Sequence, residues 1–156
     1  MIDTIDPIHP HDIVQVTAAS KHAIPFFLAL VQAGFPSPAE NYVERVCSLD
    51  DLCIIHPEAT YFVRVAGESM MGDRIYPGDV LIVDSALKPA DGSVVVVWLN
   101  GEYCVKRFVR KEALVLLESS NEKYAPIYVH PDQDEFTVLG VVTFVIFKPA
   151  KYVRPR

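Results

Sequence analysis

The chain has little of what marks a secreted, membrane-spanning or phosphate-coating protein. Its three cysteines, Cys47, Cys53 and Cys104, form an odd set with no C-x-x-C pair. That argues against a disulfide framework and fits a reduced, cytoplasmic setting. Positive charge is scarce: 14 Lys and Arg stand against 20 Asp and Glu. A broad phosphate-contacting surface needs the reverse balance, so direct sequence-specific DNA binding is not expected. The longest apolar run, residues 138–147, falls well short of the roughly 20 residues of a membrane helix. The start, M-I-D-T-I-D-P-I-H-P, is acidic and broken by proline, unlike a signal peptide. The histidines at 9, 11, 22, 56 and 130 make no i, i+4 pair and no Cys/His cluster. Neither a metal nor another cofactor is therefore expected. There is no phosphate loop, internal repeat or low-complexity tract.

What is present reads as one mainly β domain behind an arm. Residues 1–12 hold two prolines and little periodicity, the pattern of a mobile arm. Residues 26–31 suit a short helix or a strand. The segment A-G-F-P-S-P-A, at 33–39, opposes a helix through Gly34, Pro36 and Pro38. It reads as extended, accessible chain. Residues 40–52 have helical spacing, with Ser37 or the Pro38 region at the start. Beyond Pro57 the text changes to short strands at 61–66, 80–83, 93–99, 102–109, 113–118 and 136–147. Pro77-Gly78-Asp79, the 89–92 turn and Asn100-Gly101 punctuate them, the last being the strongest hairpin signal. The near-continuous apolar run at 136–147 predicts a strand buried on both faces. Part of it is long enough to reach a dimer interface. The basic tail at 148–156 and the acids around 132–135 read as solvated surface.

Chemistry is concentrated in V-A-G-E-S-M-M-G-D-R-I-Y-P-G-D-V-L-I-V-D, residues 65–84. Ser69 lies between Gly67 and Gly72, at a bend that follows a strand. Taken alone, such a serine is an ordinary turn residue. Backbone N–H groups at the bend suit an oxyanion hole, and Met70 and Met71 are expected on a cleft floor. Lys106 follows in E-Y-C-V-K-R, on a strand face with Cys104 and Phe108. Tyr103, Val105 and Val109 are apolar on the other face, so both faces read as buried. A serine becomes a nucleophile when a base takes its proton, and a lysine is a base only when neutral. At an ordinary pKa near 10.4, roughly one lysine in 2,500 is neutral at pH 7. A pKa of about 8 makes roughly a tenth neutral, at a cost of about 3 kcal/mol, and burial supplies such a shift. A lysine in an apolar hairpin otherwise extends its head to solvent.

These boxes together resemble the LexA/UmuD family of self-cleaving serine peptidases. G-E-S-M at 67–70 is similar to that family's nucleophile box. P-G-D-V-L-I-V-D at 77–84 resembles its next box, and E-Y-C-V-K-R at 102–107 its lysine box. Q-A-G-F-P-S-P-A from Gln32, H-P-E-A-T-Y-F-V from His56 and L-I-V-D-S-A from Leu81 narrow the resemblance to the UmuD branch. The resemblance covers about residues 31–148 and implies a LexA/signal-peptidase-like β body, residues 34–156. A flexible N-terminal arm, residues 1–33, precedes it and is removed by self-cleavage. It implies Ser69 as nucleophile, Lys106 as general base, the backbone N–H groups of Ser69 and Glu68 as oxyanion donors, and Ala33–Gly34 as the bond cut. It further implies a RecA–single-stranded DNA filament as trigger. The product would be a homodimer serving a UmuC-like error-prone polymerase in translesion synthesis.

Other outputs of the same fold are separable on sequence. A LexA- or phage-repressor-like regulator needs a basic helix-turn-helix ahead of the scissile pair. Here 33 residues precede Gly34, interrupted by Pro7, Pro10 and Pro25 and poor in positive charge. A non-catalytic interaction module would keep the β body without requiring Ser69 or Lys106. A membrane signal peptidase would require an anchor helix.

Overall fold

The computed structural model describes residues 13–15, 24–27 and 43–149. The expected arm at 1–12, the segment 33–39 and most of the basic tail lie outside these residues. Among the described residues, ten strands form two sheets. Eight of them, in the order β1-β4-β5-β10-β6-β7-β8-β9, make one antiparallel sheet. These are β1 (Ile13–Gln15), β4 (Thr60–Arg64), β5 (Val80–Asp84), β6 (Val94–Leu99), β7 (Glu102–Arg110), β8 (Val115–Glu118), β9 (Ile127–Val129) and β10 (Phe136–Ile146). The other two, β2 (Ile24–Phe27) and β3 (Val43–Cys47), pair with each other. No helix among the described residues is long and apolar enough to cross a membrane.

Strand composition explains the sheet. β5, β6 and β7 are runs of β-branched and aromatic residues that fit a pleated, buried surface. Alternate residues divide between two apolar clusters. Val63, Val65, Leu81, Val83, Val96 and Val105 build the first. Val95, Val97, Leu99, Cys104, Phe108 and Leu117 build the second. The Asn100-Gly101 hairpin is present as expected, joining Leu99 to Glu102 across two residues. Both central residues have positive φ, 48° and 96°, which asparagine and glycine tolerate best.

Two expectations need correction, and one strand is additional. Residues 40–52 are not one helix: β3 occupies 43–47, and a single turn, α1 (Leu49–Cys53), follows. Val43 and Val46 pair with Phe27 and Pro25, so pairing with β2 overrides the helical spacing. The helix begins only where Ser48 and Asp51 form a reciprocal capping box. The 136–147 run is central in the sheet, but its faces are half-buried rather than buried. Gly140 alone in β10 is fully buried, and Phe144, Ile146 and Phe147 are exposed. An apolar pattern reports a strand's preference, not whether the same chain covers it. β9 is additional: its three residues are too short for a periodicity signal.

Two of the sequence boxes are also joined physically. His56 Nδ1 lies 2.7 Å from Asp84 Oδ2, and Asp84 is buried. The Ala86 N–H donates to the other carboxylate oxygen at 2.9 Å. Thr60, opposite Asp84 in register, donates its hydroxyl to the His56 carbonyl at 2.6 Å. H-P-E-A-T and L-I-V-D-S-A thus close the outer end of the β4–β5 pair.

Of the three cysteines, Cys47 and Cys104 are buried and Cys53 is partly exposed. Burial raises the Cys53 thiol pKa, and the Asp50 carboxylate raises it further. The reactive species is the thiolate. Iodoacetamide should therefore alkylate Cys53 more slowly at neutral pH than a model thiol, with its inflection moved to higher pH. Asp50→Asn should bring the inflection partway back. Peptide mapping of alkylation against pH checks this, and a wild-type inflection at the model-thiol position would contradict it.

Candidate active site

Ser69 sits in the loop that links β4 to β5, and the neck of that loop is closed. The Val65 N–H donates to the Asp79 carbonyl at 2.9 Å, and the Gly78 N–H donates to the Val65 carbonyl at 2.8 Å. The Asp79 carboxylate accepts from the Tyr76 N–H at 2.9 Å. Between neck and tip, Met70 and Ile75 insert into the first apolar cluster beside Val96 and Val105. A short 3₁₀ turn (Met71–Asp73) completes the fold-back, with Asp73 and Arg74 donating to the Met70 and Met71 carbonyls. Ser69 is therefore carried on an anchored loop and is only 6% exposed. Met70 is a core residue rather than a cleft floor. Met71 is half-buried and borders an open depression.

Lys106 lies in the middle of β7, opposite Val95 of β6. Its alternation with Cys104 and Phe108 holds as expected, and both belong to the second cluster. At 1% exposure, Lys106 is the largest fully buried side chain among the described residues. Its Nζ donates to Ser119 Oγ at 2.9 Å and stands 5.2 Å from the centre of the Tyr124 ring. A lysine normally extends its head to water. This one ends instead on a hydroxyl and an aromatic ring inside the protein.

The Ser69 loop and the Lys106 strand meet at one corner of the body. Arg107, the residue after Lys106, forms an ion pair with Asp73 of the loop. The residues just beyond β8 hold the same loop from another side. The Gly72 N–H donates to the Ser120 carbonyl at 2.7 Å. Asn121 Nδ2 donates to the Glu68 carbonyl at 2.8 Å. The depression at this corner encloses about 520 Å³ and is lined by Glu68, Met71, Gly72, Tyr76, Ser120 and Asn121, among others. It borders the Ser69 loop without being lined by Ser69 or Lys106. Glu68 is exposed, with its carbonyl turned to Asn121 and to the Met71 N–H. Ala33 and Gly34 lie outside the described residues.

Sequence reading did not single out S-S-N at 119–121. Such a cluster reads as a turn, and its link to Lys106 exists only once β7 and β8 pair. Arg107–Asp73 is equally hidden, because 34 residues separate the partners.

A mainly β body thus carries a buried serine on an anchored loop and a buried lysine on the strand to which that loop is tied, the architecture of a β-rich peptidase-like fold. The chain belongs, as a UmuD-like member, to the Peptidase S24-like family, which matches residues 25–143. It is 42% identical to protein MucA of Salmonella typhimurium over 133 residues, covering 85% of this chain and 90% of MucA. It is 40% identical to protein SamA of Salmonella typhimurium (strain LT2) over 124 residues, 80% of this chain and 85% of SamA. It is 36% identical to LexA repressor 1 of Pseudomonas putida over 116 residues, 74% of this chain but 57% of that repressor.

Gly72 tests how tightly the corner is built. A Cβ there would fall 2.4 Å from Ser120 Oγ and 2.6 Å from the Ser120 carbonyl oxygen. Backbone cannot yield as a flexible side chain does. Gly72→Ala should therefore lower stability by about 1–3 kcal/mol. Urea unfolding checks this, and an unchanged midpoint would show that the loop and residues 119–121 can separate at no cost.

Proposed function

We propose that the chain is a self-cleaving serine–lysine peptidase, with Ser69 as nucleophile, Lys106 as base and Ala33–Gly34 as substrate bond. The observation that carries this reading is the burial of Lys106 at the corner that also holds the Ser69 loop. An ammonium removed from water has lost its hydration, which disfavours the charged form. The neutral amine is the form that accepts a proton.

In this mechanism Lys106 Nζ takes the proton of Ser69 Oγ as the oxygen attacks the Ala33 carbonyl carbon. The carbonyl oxygen becomes an oxyanion, held by the backbone N–H groups of Ser69 and Glu68. Collapse breaks the bond to the Gly34 nitrogen, which receives the proton from Lys106. The Ser69 ester is then hydrolysed by water, with Lys106 again as base. Small residues at 33 and 34 suit a narrow approach to a serine that is itself buried.

The reading extends to cellular role. Family membership and likeness to MucA and SamA support a cytoplasmic protein of the SOS response, triggered by a RecA–single-stranded DNA filament. Residues 34–156, once released from 1–33, would serve a UmuC-like error-prone polymerase in translesion synthesis. Exposed Phe144, Ile146 and Phe147 at the end of β10 support self-association of that product as a homodimer.

The test is intact-mass spectrometry on the purified chain across a pH series, beside Ser69→Ala and Lys106→Ala. Cleavage should accelerate as pH rises and the neutral amine becomes more abundant, giving a product that starts at Gly34. Either substitution should slow it by at least about a thousandfold. A wild-type chain that stays intact at every pH, and also with a RecA filament added, would favour a non-catalytic interaction module. Cleavage that persists in Lys106→Ala would remove the dyad.

A further inference from the structure

Lys106 needs more than burial to act as a base. A long, rotatable side chain inside an apolar cluster must also be aimed, and its aim is set by what its nitrogen touches. We infer that Ser119 is the positioning residue for Lys106, and that residues 119–121 align the lysine and the Ser69 loop as one unit. This inference rests on the serine–lysine reading and names a component beyond the two reacting side chains.

Three consecutive residues carry it. Ser119 Oγ accepts from Lys106 Nζ at 2.9 Å. The next residue, Ser120, accepts from the Gly72 N–H through its carbonyl at 2.7 Å. The third, Asn121, donates from its side chain to the Glu68 carbonyl at 2.8 Å. The anchored backbone groups flank Ser69 at 68 and 72. One short segment therefore bonds to the lysine head and to both sides of the serine. The segment is itself fixed: β8 pairs with β7 up to Glu118 opposite Arg107, and the Tyr124 N–H donates back to the Asn121 carbonyl at 3.1 Å. A displacement of residues 119–121 would move both halves of the site.

The hydroxyl is chemically suited to the task. It accepts from an ammonium or an amine, and it has no charge to pair with the lysine. A carboxylate at 119 would hold Lys106 protonated and remove its basicity. Several groups near Lys106 are consistent with this. β6 presents Val95, β7 presents the Cys104 thiol on the same face, and Tyr124 presents its ring. Arg107 alternates to the opposite face and is occupied by Asp73.

The experiment measures the first-order self-cleavage rate of the full chain against pH for wild type, Ser119→Ala, Ser119→Thr, Ser119→Val and Lys106→Ala. Thermal unfolding of each accompanies it. Threonine keeps the hydroxyl, whereas valine keeps nearly the same shape without it. Ser119→Ala and Ser119→Val should lower the plateau rate about tenfold. Both should also move the inflection to lower pH, because the ammonium loses an acceptor. Ser119→Thr should stay within about threefold of wild type. If alanine fails to fold, the threonine–valine pair still separates hydroxyl from packing. Equal plateaus and inflections for threonine and valine, with Lys106→Ala inactive, would overturn this inference and leave the dyad standing. Cleavage by Lys106→Ala would overturn the dyad itself.

Discussion

The site depends on one costly constraint: the amino end of Lys106 is enclosed by the protein. Removing an ammonium from water costs several kcal/mol unless partners compensate. A fold selected for stability alone would place an aliphatic residue opposite Val95, as it does opposite Val96, where Val105 stands. The surrounding structure confines the lysine and gives its head partners. β7 lies inside the sheet between β6 and β8, and apolar clusters on both faces prevent the side chain from turning to solvent. Ser119 and the Tyr124 ring receive the head that water would otherwise hydrate.

The serine half is built by different means. Its loop has no regular pairing, so backbone closure at Val65, Gly78 and Asp79 and the insertion of Met70 and Ile75 into the core fix it. The Arg107–Asp73 pair and the bonds from Ser120 and Asn121 then tie the loop to the strand of the lysine. Hydrogen bonds of this kind contribute about 1 kcal/mol each to stability. In the proposed reaction their larger effect is alignment, since catalysis is sensitive to sub-ångström placement of reacting groups.

Much of this was legible in the chain because local signals and global fold agree. Asn100-Gly101, the β-branched runs and the alternation around Lys106 each have one structural solution, and each took it. The boxes at 67–70, 77–84 and 102–107 pointed to the family because their residue types serve turn geometry and chemistry together. What remained hidden is non-local. Ser119 looks like any turn serine until β8 pairs with β7, and Asp73 gives no sign of Arg107. Residues 40–52 misled because Val43 and Val46 satisfy helical spacing and strand pairing equally, and pairing with β2 decided between them. Met70 was expected at a cleft, yet its apolar side chain found the core first.

The most direct test of the central claim bypasses the cleavage site altogether. A fluorophosphonate reacts only with a serine whose proton is being removed, and peptide mapping locates the label. The rate of labelling should be measured against pH in wild type and in Lys106→Met, which keeps an unbranched chain without the amine. Label confined to Ser69, forming faster as pH rises and lost in Lys106→Met, is the predicted result. Equal labelling of Ser69 in both proteins, or none in wild type, would contradict the claim that the buried lysine activates the serine.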